Sequence, residues 1–338
     1  MTPSTPNSNN NPTALLDVEH LRVEFPTRRN VLVAVDDVSF FINKGEVLGV
    51  VGESGAGKSI TGLAIIGLLE RPGRIARGTI RLKGKKINGL PKEAMRRIRG
   101  AKIGAIFQDP LTSLNPLYTI GQQLVQTIMI HTELTSAQAR NRAIDLLSEV
   151  GIPAARRRFD AYPHEFSGGM RQRVVIALAL CANPQLIIAD EPTTALDVSI
   201  QAQIIALLRR LCREHRTAIM LITHDMGVIA DTADRVAVMY AGRLAEIGSL
   251  HDVIKYPKHP YTIGLMNSIP IIGHEKEELH YINGSMPRLH EIPSGCAFNP
   301  RCPQAFDRCR VERPDIMPTG NPGQMAACWV FDKESAND

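Results

Sequence analysis

Short apolar runs alternate with amphipathic segments along most of the chain. This alternation is typical of an α/β domain with a largely parallel sheet. Strongly apolar runs predict buried strands at residues 46–52, 185–190 and 217–224. Helical periodicity follows the first strand at 58–69 and separates the other two at 199–215. The chain is therefore expected to contain an α/β domain with a largely parallel sheet.

The pattern changes in four other places. Residues 78–87 and 235–248 have the alternation and turn residues of hairpins. Strand signals vanish between about 111 and 161, where helical patterns dominate, and a Pro- and Cys-rich region begins near 257. These changes predict a domain organisation with four parts: a disordered tail at 1–13, a core at 14–108 and 167–256, a helical subdomain at 109–166, and a C-terminal extension at 257–338.

Composition and charge narrow the class of protein. The 338 residues are 44% hydrophobic and 22% charged, which suits a sizeable folded core. The net charge of +5 comes from 39 basic and 34 acidic residues spread along the chain, a pattern that disfavours a nucleic-acid partner. The longest apolar run, 174–182, falls short of the roughly 20 residues that a membrane span needs. The polar N-terminus resembles no signal peptide, so we expect a cytoplasmic protein that reaches a membrane only through a partner.

A glycine-rich motif predicts nucleotide binding. The segment GESGAGKS, residues 52–59, matches G-x-x-x-x-G-K-S and stands between a predicted strand and a predicted helix. In such a loop, backbone N–H groups surround a phosphate at a helix N-terminus, the lysine reaches the β- and γ-phosphates, and the serine holds Mg²⁺. The residues assigned to ATP are Gly52, Ser54, Gly55, Ala56, Gly57, Lys58, Ser59 and Ile60.

A second motif predicts hydrolysis. The segment LIIADEPTTALD, residues 186–197, is an apolar strand that ends in two carboxylates. Asp190 at the strand end is expected to help bind Mg²⁺, and Glu191 is expected to polarise the attacking water. A solvated acidic strand end is the plainer interpretation, but the glycine-rich loop upstream favours hydrolysis.

Further motifs narrow the family. They are FSGGM at 166–170, Gln108 in AIFQDP, TALD at 194–197 and His224 in LITHD. Together with the two motifs above, this set resembles the ATP-binding subunits of ABC transporters over roughly residues 14–250. The resemblance implies an α/β fold: a P-loop NTPase (RecA-like) core with an antiparallel β subdomain, an inserted helical subdomain and a small Cys-containing C-terminal extension.

The resemblance also implies roles for individual residues. Glu191 would be the catalytic base, His224 would contact the γ-phosphate, and Gln108 would sense Mg²⁺ and the attacking water. A signature loop would bind the ATP held by a second subunit, and Asp197 would bridge the dimer; the loop consists of Ser167, Gly168 and Gly169. The family's usual glutamine after this loop is Met170 here.

An aromatic residue stacks on adenine in this family. Phe25 is the candidate, with packing in the edge sheet as an equally good interpretation. The insertion at residues 26–30 leaves the register of this comparison open.

Several segments of the chain resemble the peptide-importer branch of the family, the dipeptide and oligopeptide permease ATPases. They are residues 106–121, 162–173, 258–270 and the cysteine-bearing tail. This resemblance implies a second related ATPase subunit, two integral membrane permease subunits and an extracytoplasmic solute-binding protein. It places the chain at the cytoplasmic face of the inner membrane. Two alternatives stay open: a soluble ABC ATPase without a transport role, and the same motor serving haem or a nickel chelate.

The chain has six cysteines, and four of them lie in the C-terminal extension: Cys296, Cys302, Cys309 and Cys328. Four interpretations compete for them: burial, disulfides, zinc and an iron–sulfur cluster. Burial suits Cys181 and Cys212, and disulfides are disfavoured in a reducing compartment. The loose spacing suits a larger group better than zinc. The resemblance implies a 4Fe–4S cluster, with zinc as the lesser alternative and with nearby cations, Arg301, Arg308 and Arg310, offsetting its charge.

Overall fold

A computed structural model describes residues 14–194, 196–268 and 281–332. The tail at 1–13 that was predicted to be disordered lies outside this range, as do Ala195 of the TALD motif and the end of segment 258–270. The strands are β1 (Ala14–Pro26), β2 (Val31–Asn43), β3 (Val47–Val51), β4 (Arg74–Leu82), β5 (Lys85–Lys86), β6 (Ile103–Ile106), β7 (Leu186–Asp190), β8 (Ala218–Ile222), β9 (Arg235–Tyr240), β10 (Arg243–Ser249), β11 (Met317–Pro318) and β12 (Met325–Ala326).

Helices occupy most of the segments between these strands. They are α1 (Lys58–Ile65), α2 (Lys92–Ile98), α3 (Pro110–Ser113), α4 (Ile120–His131), α5 (Ser136–Glu149), α6 (Ala155–Arg158), α7 (Gly168–Leu180), α8 (Val198–His215), α9 (Met226–Thr232), α10 (Leu250–Lys255), α11 (Pro260–Asn267) and α12 (Asp307–Val311), with 3₁₀ turns at Pro163–Glu165, Asn299–Arg301 and Trp329–Phe331. In the described ranges, no helix is both long and apolar enough to span a bilayer.

The larger sheet has the strand order β11–β12–β10–β9–β3–β8–β7–β6. Strands β9, β3, β8, β7 and β6 are parallel neighbours, while β10 forms an antiparallel hairpin with β9. Every residue of β3 and β8 is buried, as expected of parallel strands covered on both faces. The predicted buried strands and the C-terminal hairpin are therefore confirmed. The carboxyl ends of β3, β6, β7 and β8 meet at one edge, which is where such sheets bind ligands.

The smaller sheet is antiparallel, with the order β2–β1–β4–β5. The turn at Lys83–Gly84 joins β4 to β5, as the hairpin pattern predicted. Alternate residues of β1, including Leu16 and Val18, are buried against a core that also contains Ile65 of α1. This sheet therefore covers one side of the nucleotide-loop helix.

Helices α3 to α6 fill the region where strand signals vanish. Two of them start with a complete capping box: Thr119 with Gln122 for α4 and Thr135 with Gln138 for α5. The buried face of α4, Ile120, Leu124 and Ile128, belongs to the same core as α7. These helices thus pack onto the helix that follows the FSGGM motif.

The C-terminal extension docks on the edge of the larger sheet. Strand β12 pairs with β10, and the carboxylate of fully buried Glu246 accepts hydrogen bonds from the backbone N–H of His259 (2.8 Å) and from Nε2 of Gln324 (2.8 Å). Pro260 occupies the first turn of α11, as predicted for a helix start. The pairing of the extension with the core sheet was not predicted, because two-residue strands leave no periodic signal.

Buried His259 makes the docked extension sensitive to acid. Its Nδ1 accepts from the backbone N–H of Tyr261 at 3.0 Å and caps α11, and burial lowers the pKa of His259 to about 4. An unfolded histidine titrates near pH 6.5, so between these values the unfolded chain binds more protons. Stability must therefore fall as the pH is lowered from about 6.5 to about 4, by up to ~3 kcal/mol in total.

The substitution His259→Asn tests this expectation, because asparagine can keep the cap without titrating in this range. Urea unfolding followed by the fluorescence of Trp329, the single tryptophan, should lose part of its pH dependence in the variant. Burial raises the pKa of Glu246, which acts with the opposite sign in both proteins and cancels in the comparison. Equal pH dependence in the two proteins would show that His259 does not carry the effect.

Candidate functional site

The glycine-rich loop joins β3 to α1 in a conformation that only glycine tolerates at key positions. Gly52, Gly55 and Gly57 have positive φ angles of 150°, 85° and 96°. A Cβ at Gly52 would collide with the carbonyl oxygen of Met239, and one at Gly57 would lie 2.8 Å from that of Ala34. The loop is thus tightly enclosed by the protein on its inner side.

Lys58 closes this loop from within. Its Nζ donates to the carbonyl oxygens of Gly52 (2.8 Å) and Glu53 (3.0 Å), and the side chain is buried. Burial lowers the pKa of Lys58, and the carboxylates of Glu191 and Asp190 partly offset that effect. The cation therefore lies at the centre of the phosphate-binding loop. Fully buried Ala56 and partly buried Ile60 pack beside it, and exposed Ser54 lies at the outer turn.

A hydroxyl and a carboxylate meet beside the loop. The Oγ of Ser59 donates to Oδ1 of Asp190, at the end of β7, over 2.9 Å. Burial raises the pKa of Asp190, and the hydrogen bond from Ser59 opposes that shift. Residues 131 positions apart are brought together because β3 and β7 end at the same edge of the sheet. Hydroxyl and carboxylate oxygens suit a magnesium ion.

Glu191 is held by three side chains. Its Oε2 accepts from Nε2 of Gln108 (3.1 Å) and from Oγ1 of Thr194 (2.8 Å), and its Oε1 lies 3.2 Å from Nδ1 of His224. Its left-handed backbone (φ 47°) turns the chain sharply away from the strand. Burial alone would raise the pKa of Glu191, but the hydrogen bonds of Thr194 and His224 outweigh it and the net pKa is lowered. The carboxylate is therefore ionised and oriented at neutral pH.

The signature segment starts α7. The Oγ of Ser167 accepts from the backbone N–H of Met170 and caps the helix, and Gly168 and Gly169 form its first turn. A Cβ at Gly169 would lie 2.9 Å from Cγ2 of Ile200, so glycine allows the close approach of α8. Among the described residues, the Ser167 hydroxyl hydrogen-bonds its own helix and not the glycine-rich loop.

The remaining predicted ATP residues lie apart from this cluster. Phe25, near the end of β1, is half-buried and packs against Gly73. Asp197 precedes α8 and is exposed, and its side chain makes no cap hydrogen bond with the helix. The structure therefore groups Lys58, Ser59, Asp190, Glu191, Gln108 and His224 around one loop, and it leaves Phe25, Asp197 and the signature segment at separate positions on the chain.

The iron–sulfur prediction is wrong. Cys296, Cys302, Cys309 and Cys328 line one cavity of the extension, yet across the described ranges no three His, Cys, Asp or Glu side chains are grouped so that they could hold a metal ion. The zinc alternative is wrong for the same reason. Aromatic side chains share the cavity: Phe298, Phe306 and Trp329.

Burial affects the protonation of three of these thiols. Burial raises the pKa of Cys296 to about 11 and also raises the pKa of Cys302 and Cys328. Burial is also the fate of Cys181 and Cys212, as predicted.

Sequence reasoning missed a contact between the extension and the loop. Arg301, which was assigned to offset charge near the cysteines, instead pairs with the carboxylate of Glu53 at 3.0 Å. The hydroxyl of Tyr261 accepts from the backbone N–H of Glu53 at 2.9 Å. No local pattern marks these residues, since more than 200 positions separate each of them from Glu53.

Comparison with known proteins agrees with the geometry. A family model for ABC transporters matches residues 35–194, and a model for the oligopeptide/dipeptide transporter C-terminal region matches residues 245–309. The chain is 49% identical over 315 residues to the oligopeptide transport ATP-binding protein OppD of Salmonella typhimurium, covering 93% of both chains. It is 46% identical over 323 residues to the oligopeptide transport ATP-binding protein AppD of Bacillus subtilis, covering 95% of this chain and 98% of the relative. It is 47% identical over 303 residues to the dipeptide transport ATP-binding protein DppD of Escherichia coli, covering 90% and 93%.

Solved structures show the same cassette. The dimeric post-hydrolysis state of the ATP-binding cassette MJ0796, bound to ADP and Pi, matches with a TM-score of 0.63 and 28% identity over 70% of this chain and 98% of that one. The protein cbiO1 of Clostridium perfringens, part of the ABC transporter complex cbiONQ, matches with a TM-score of 0.62 and 27% identity over 75% and 95%. The predicted P-loop NTPase fold and the predicted resemblance are confirmed. The chain belongs to the ABC transporter family, as an ATP-binding protein of its oligopeptide/dipeptide transport branch.

Proposed function

We propose that this protein is the ATP-hydrolysing motor subunit of an importer that takes up dipeptides and oligopeptides through separate membrane permease subunits. One observation carries the proposal: side chains suited to binding phosphate, holding Mg²⁺ and activating water are grouped around one loop in the same chain as an oligopeptide/dipeptide transporter C-terminal region. The relatives named above are themselves oligopeptide and dipeptide transport ATP-binding proteins.

In this proposal the glycine-rich loop binds the phosphates of ATP. Its backbone N–H groups and the start of α1 favour an anion, and Lys58 moves from the loop carbonyls to the β- and γ-phosphates. Ser59 and Asp190, already adjacent, would hold Mg²⁺ together with Gln108. When bound, Mg²⁺ neutralises charge on the phosphate oxygens. Phe25 would stack on the adenine.

Glu191 then acts as the general base. The lowered pKa keeps its carboxylate ready to accept a proton from water, and Gln108, Thr194 and His224 fix its direction. Gln108 lies just beyond β6 and is exposed, so it can also orient the attacking water. His224, which is 57% exposed, would contact the γ-phosphate.

A second, related ATPase subunit would complete the site. The N-terminus of α7 carries a serine cap and two glycines, so its free N–H groups suit the γ-phosphate of ATP held by the partner. Ser167, Gly168 and Gly169 would make that contact, and exposed Asp197 would lie at the interface between subunits. Closure of the two subunits on ATP supplies the differential binding that drives a conformational change.

The permease is proposed to dock next to Gln108. A surface groove of about 420 Å³ lies between β6, the end of α3 and the C-terminal half of α7. Phe107, which lines this groove, is an apolar side chain that is 40% exposed. A short amphipathic helix of a permease subunit suits this groove, since such helices insert apolar anchors into apolar grooves.

The proposal also covers the roles of the subdomains, the location at the membrane and the solute-binding protein. In the proposal, residues 109–166 form the subdomain that faces the permease and residues 14–108 with 167–256 form the ATPase core. Docking on two membrane permease subunits places the protein peripherally at the cytoplasmic face of the inner membrane. An extracytoplasmic solute-binding protein delivers the peptide on the other side.

A photo-crosslinking amino acid in place of Thr112, which lines the groove, should link the protein to a membrane permease subunit. The same probe in place of Arg213, at an exposed site on α8, is the matched control and should not. The measurement is mass spectrometry of the crosslinked bands from membranes. Links from Thr112 only to another ATPase subunit would contradict the docking model.

A further inference from the structure

The C-terminal extension reaches the phosphate-binding loop at Glu53. The hydroxyl of Tyr261 accepts a hydrogen bond from the backbone N–H of Glu53 at 2.9 Å. Nη1 of Arg301 donates to both carboxylate oxygens of Glu53, at 3.0 Å and 3.1 Å. Backbone and side chain of one loop residue are therefore both held by groups that lie outside the ATPase motifs.

The partners that the extension contributes to these contacts are shielded from water, and the Glu53 side chain is 30% exposed. The Arg301 side chain is only 7% exposed, and its other N–H groups donate to the carbonyl oxygens of Asn283 (2.8 Å) and Gly284 (3.2 Å). Fully buried Tyr261 packs edge-on against Tyr240, with ring centroids 4.7 Å apart. A shielded, hydrogen-bonded ion pair with fixed partners holds its geometry better than an exposed one.

Glu53 connects this anchor to the phosphate lysine. Its carbonyl oxygen accepts from Nζ of Lys58 at 3.0 Å and from the backbone N–H of Ala56 at 3.2 Å. The neighbouring glycines, Gly52 and Gly55, have positive φ angles and restrict the backbone little by themselves. A loop of this kind binds more tightly when contacts from outside hold it in its binding conformation before the ligand arrives.

We propose that Tyr261 and Arg301 are positioning residues for ATP, which hold the first turn of the phosphate-binding loop through Glu53. The inference deepens the proposed function, on which it rests, because it assigns the C-terminal extension a role in nucleotide affinity. The extension thereby sets how tightly the motor binds ATP, in addition to docking on the sheet.

Two substitutions test the proposal from the side of the extension. Tyr261→Phe keeps the ring and removes the acceptor of the Glu53 N–H; Arg301→Met leaves the Glu53 carboxylate unpaired. Each should raise the Kd of the full chain for a fluorescent ATP analogue with Mg²⁺ by about 5- to 50-fold, the range expected when a buried polar group loses its partner. The KM for ATP should rise in parallel, and kcat should fall less than KM rises.

Two further variants separate positioning from loosening of the fold. Arg308→Gln breaks ion pairs with Glu312 and Asp332 inside the extension and should leave the Kd unchanged. Glu53→Gln weakens the same contact from the loop side, so combining it with Arg301→Met should add little to either alone.

The outcomes are distinct. The proposal is supported if Tyr261→Phe and Arg301→Met raise the Kd for the nucleotide while Arg308→Gln does not. It also requires that Glu53→Gln and Arg301→Met together raise the Kd little more than either alone. The proposal is overturned if neither Tyr261→Phe nor Arg301→Met changes the Kd for the nucleotide. It is also overturned if Arg308→Gln raises the Kd as much as they do and lowers the melting temperature by a similar amount. Wild-type protein that binds no nucleotide would instead overturn the proposed function.

Discussion

Replacement of Glu191 by glutamine should lower ATP turnover by roughly 10²–10⁴-fold, the range typical of the loss of a general base. Glutamine keeps the size of the side chain and its hydrogen bonds with Thr194 but cannot accept the proton from water. The phosphate-binding contacts of Lys58 and Ser59 are untouched, so ATP binding should persist. The complex of two ATPase subunits should accumulate with ATP trapped in it, because the ATP that holds the two subunits together is no longer hydrolysed.

Phosphate release by the purified protein measures this effect, and nucleotide Kd measured on the same sample shows that binding persists. Glu214→Gln, at an exposed carboxylate near the end of α8, is the matched control and should hydrolyse ATP normally. Near-normal turnover in Glu191→Gln would remove Glu191 from the role of base.

Much of the site could be predicted because its parts are local motifs on a regular scaffold. A strand, a glycine-rich turn and a helix are contiguous, so residues 52–59 reveal their own geometry. Asp190 and Glu191 follow a buried apolar strand, and parallel strands bring their carboxyl ends together. The hydrogen bond between Ser59 and Asp190 and the contact between His224 and Glu191 are consequences of that rule.

The extension could not be predicted in the same way. Its contacts with the core depend on single side chains, such as Glu246 and Arg301, that meet partners far away in sequence. Buried polar groups need partners, but the sequence does not say which ones. Glu53 occupies an unspecified position of the motif G-x-x-x-x-G-K-S, and only the fold shows that Tyr261 and Arg301 converge on it.

The cysteines show a further limit. Their spacing counts residues along the chain and says nothing about the direction of each side chain. Cys296, Cys302, Cys309 and Cys328 do line one cavity, but Phe298 and Trp329 line it too. The number of cysteines in the sequence therefore predicted a metal site that the fold does not form among the described residues.

Peptide uptake should depend completely on ATP turnover by this protein, because hydrolysis in the proposed motor supplies the energy for transport. In a strain that lacks the gene, accumulation of labelled di- and tripeptides should fall to background, and the wild-type gene should restore it. Glu191→Gln and Lys58→Ala should both fail to restore it, the first because it cannot hydrolyse ATP and the second because it cannot hold the phosphates. Haem and nickel uptake, measured in the same strains, should not change.

The most direct test of the account is therefore initial peptide uptake in these strains at matched levels of membrane-bound protein. We expect uptake only with the wild-type chain. Normal peptide uptake in the deletion strain, or full restoration by Glu191→Gln, would contradict the assignment of this protein as the motor of a peptide importer.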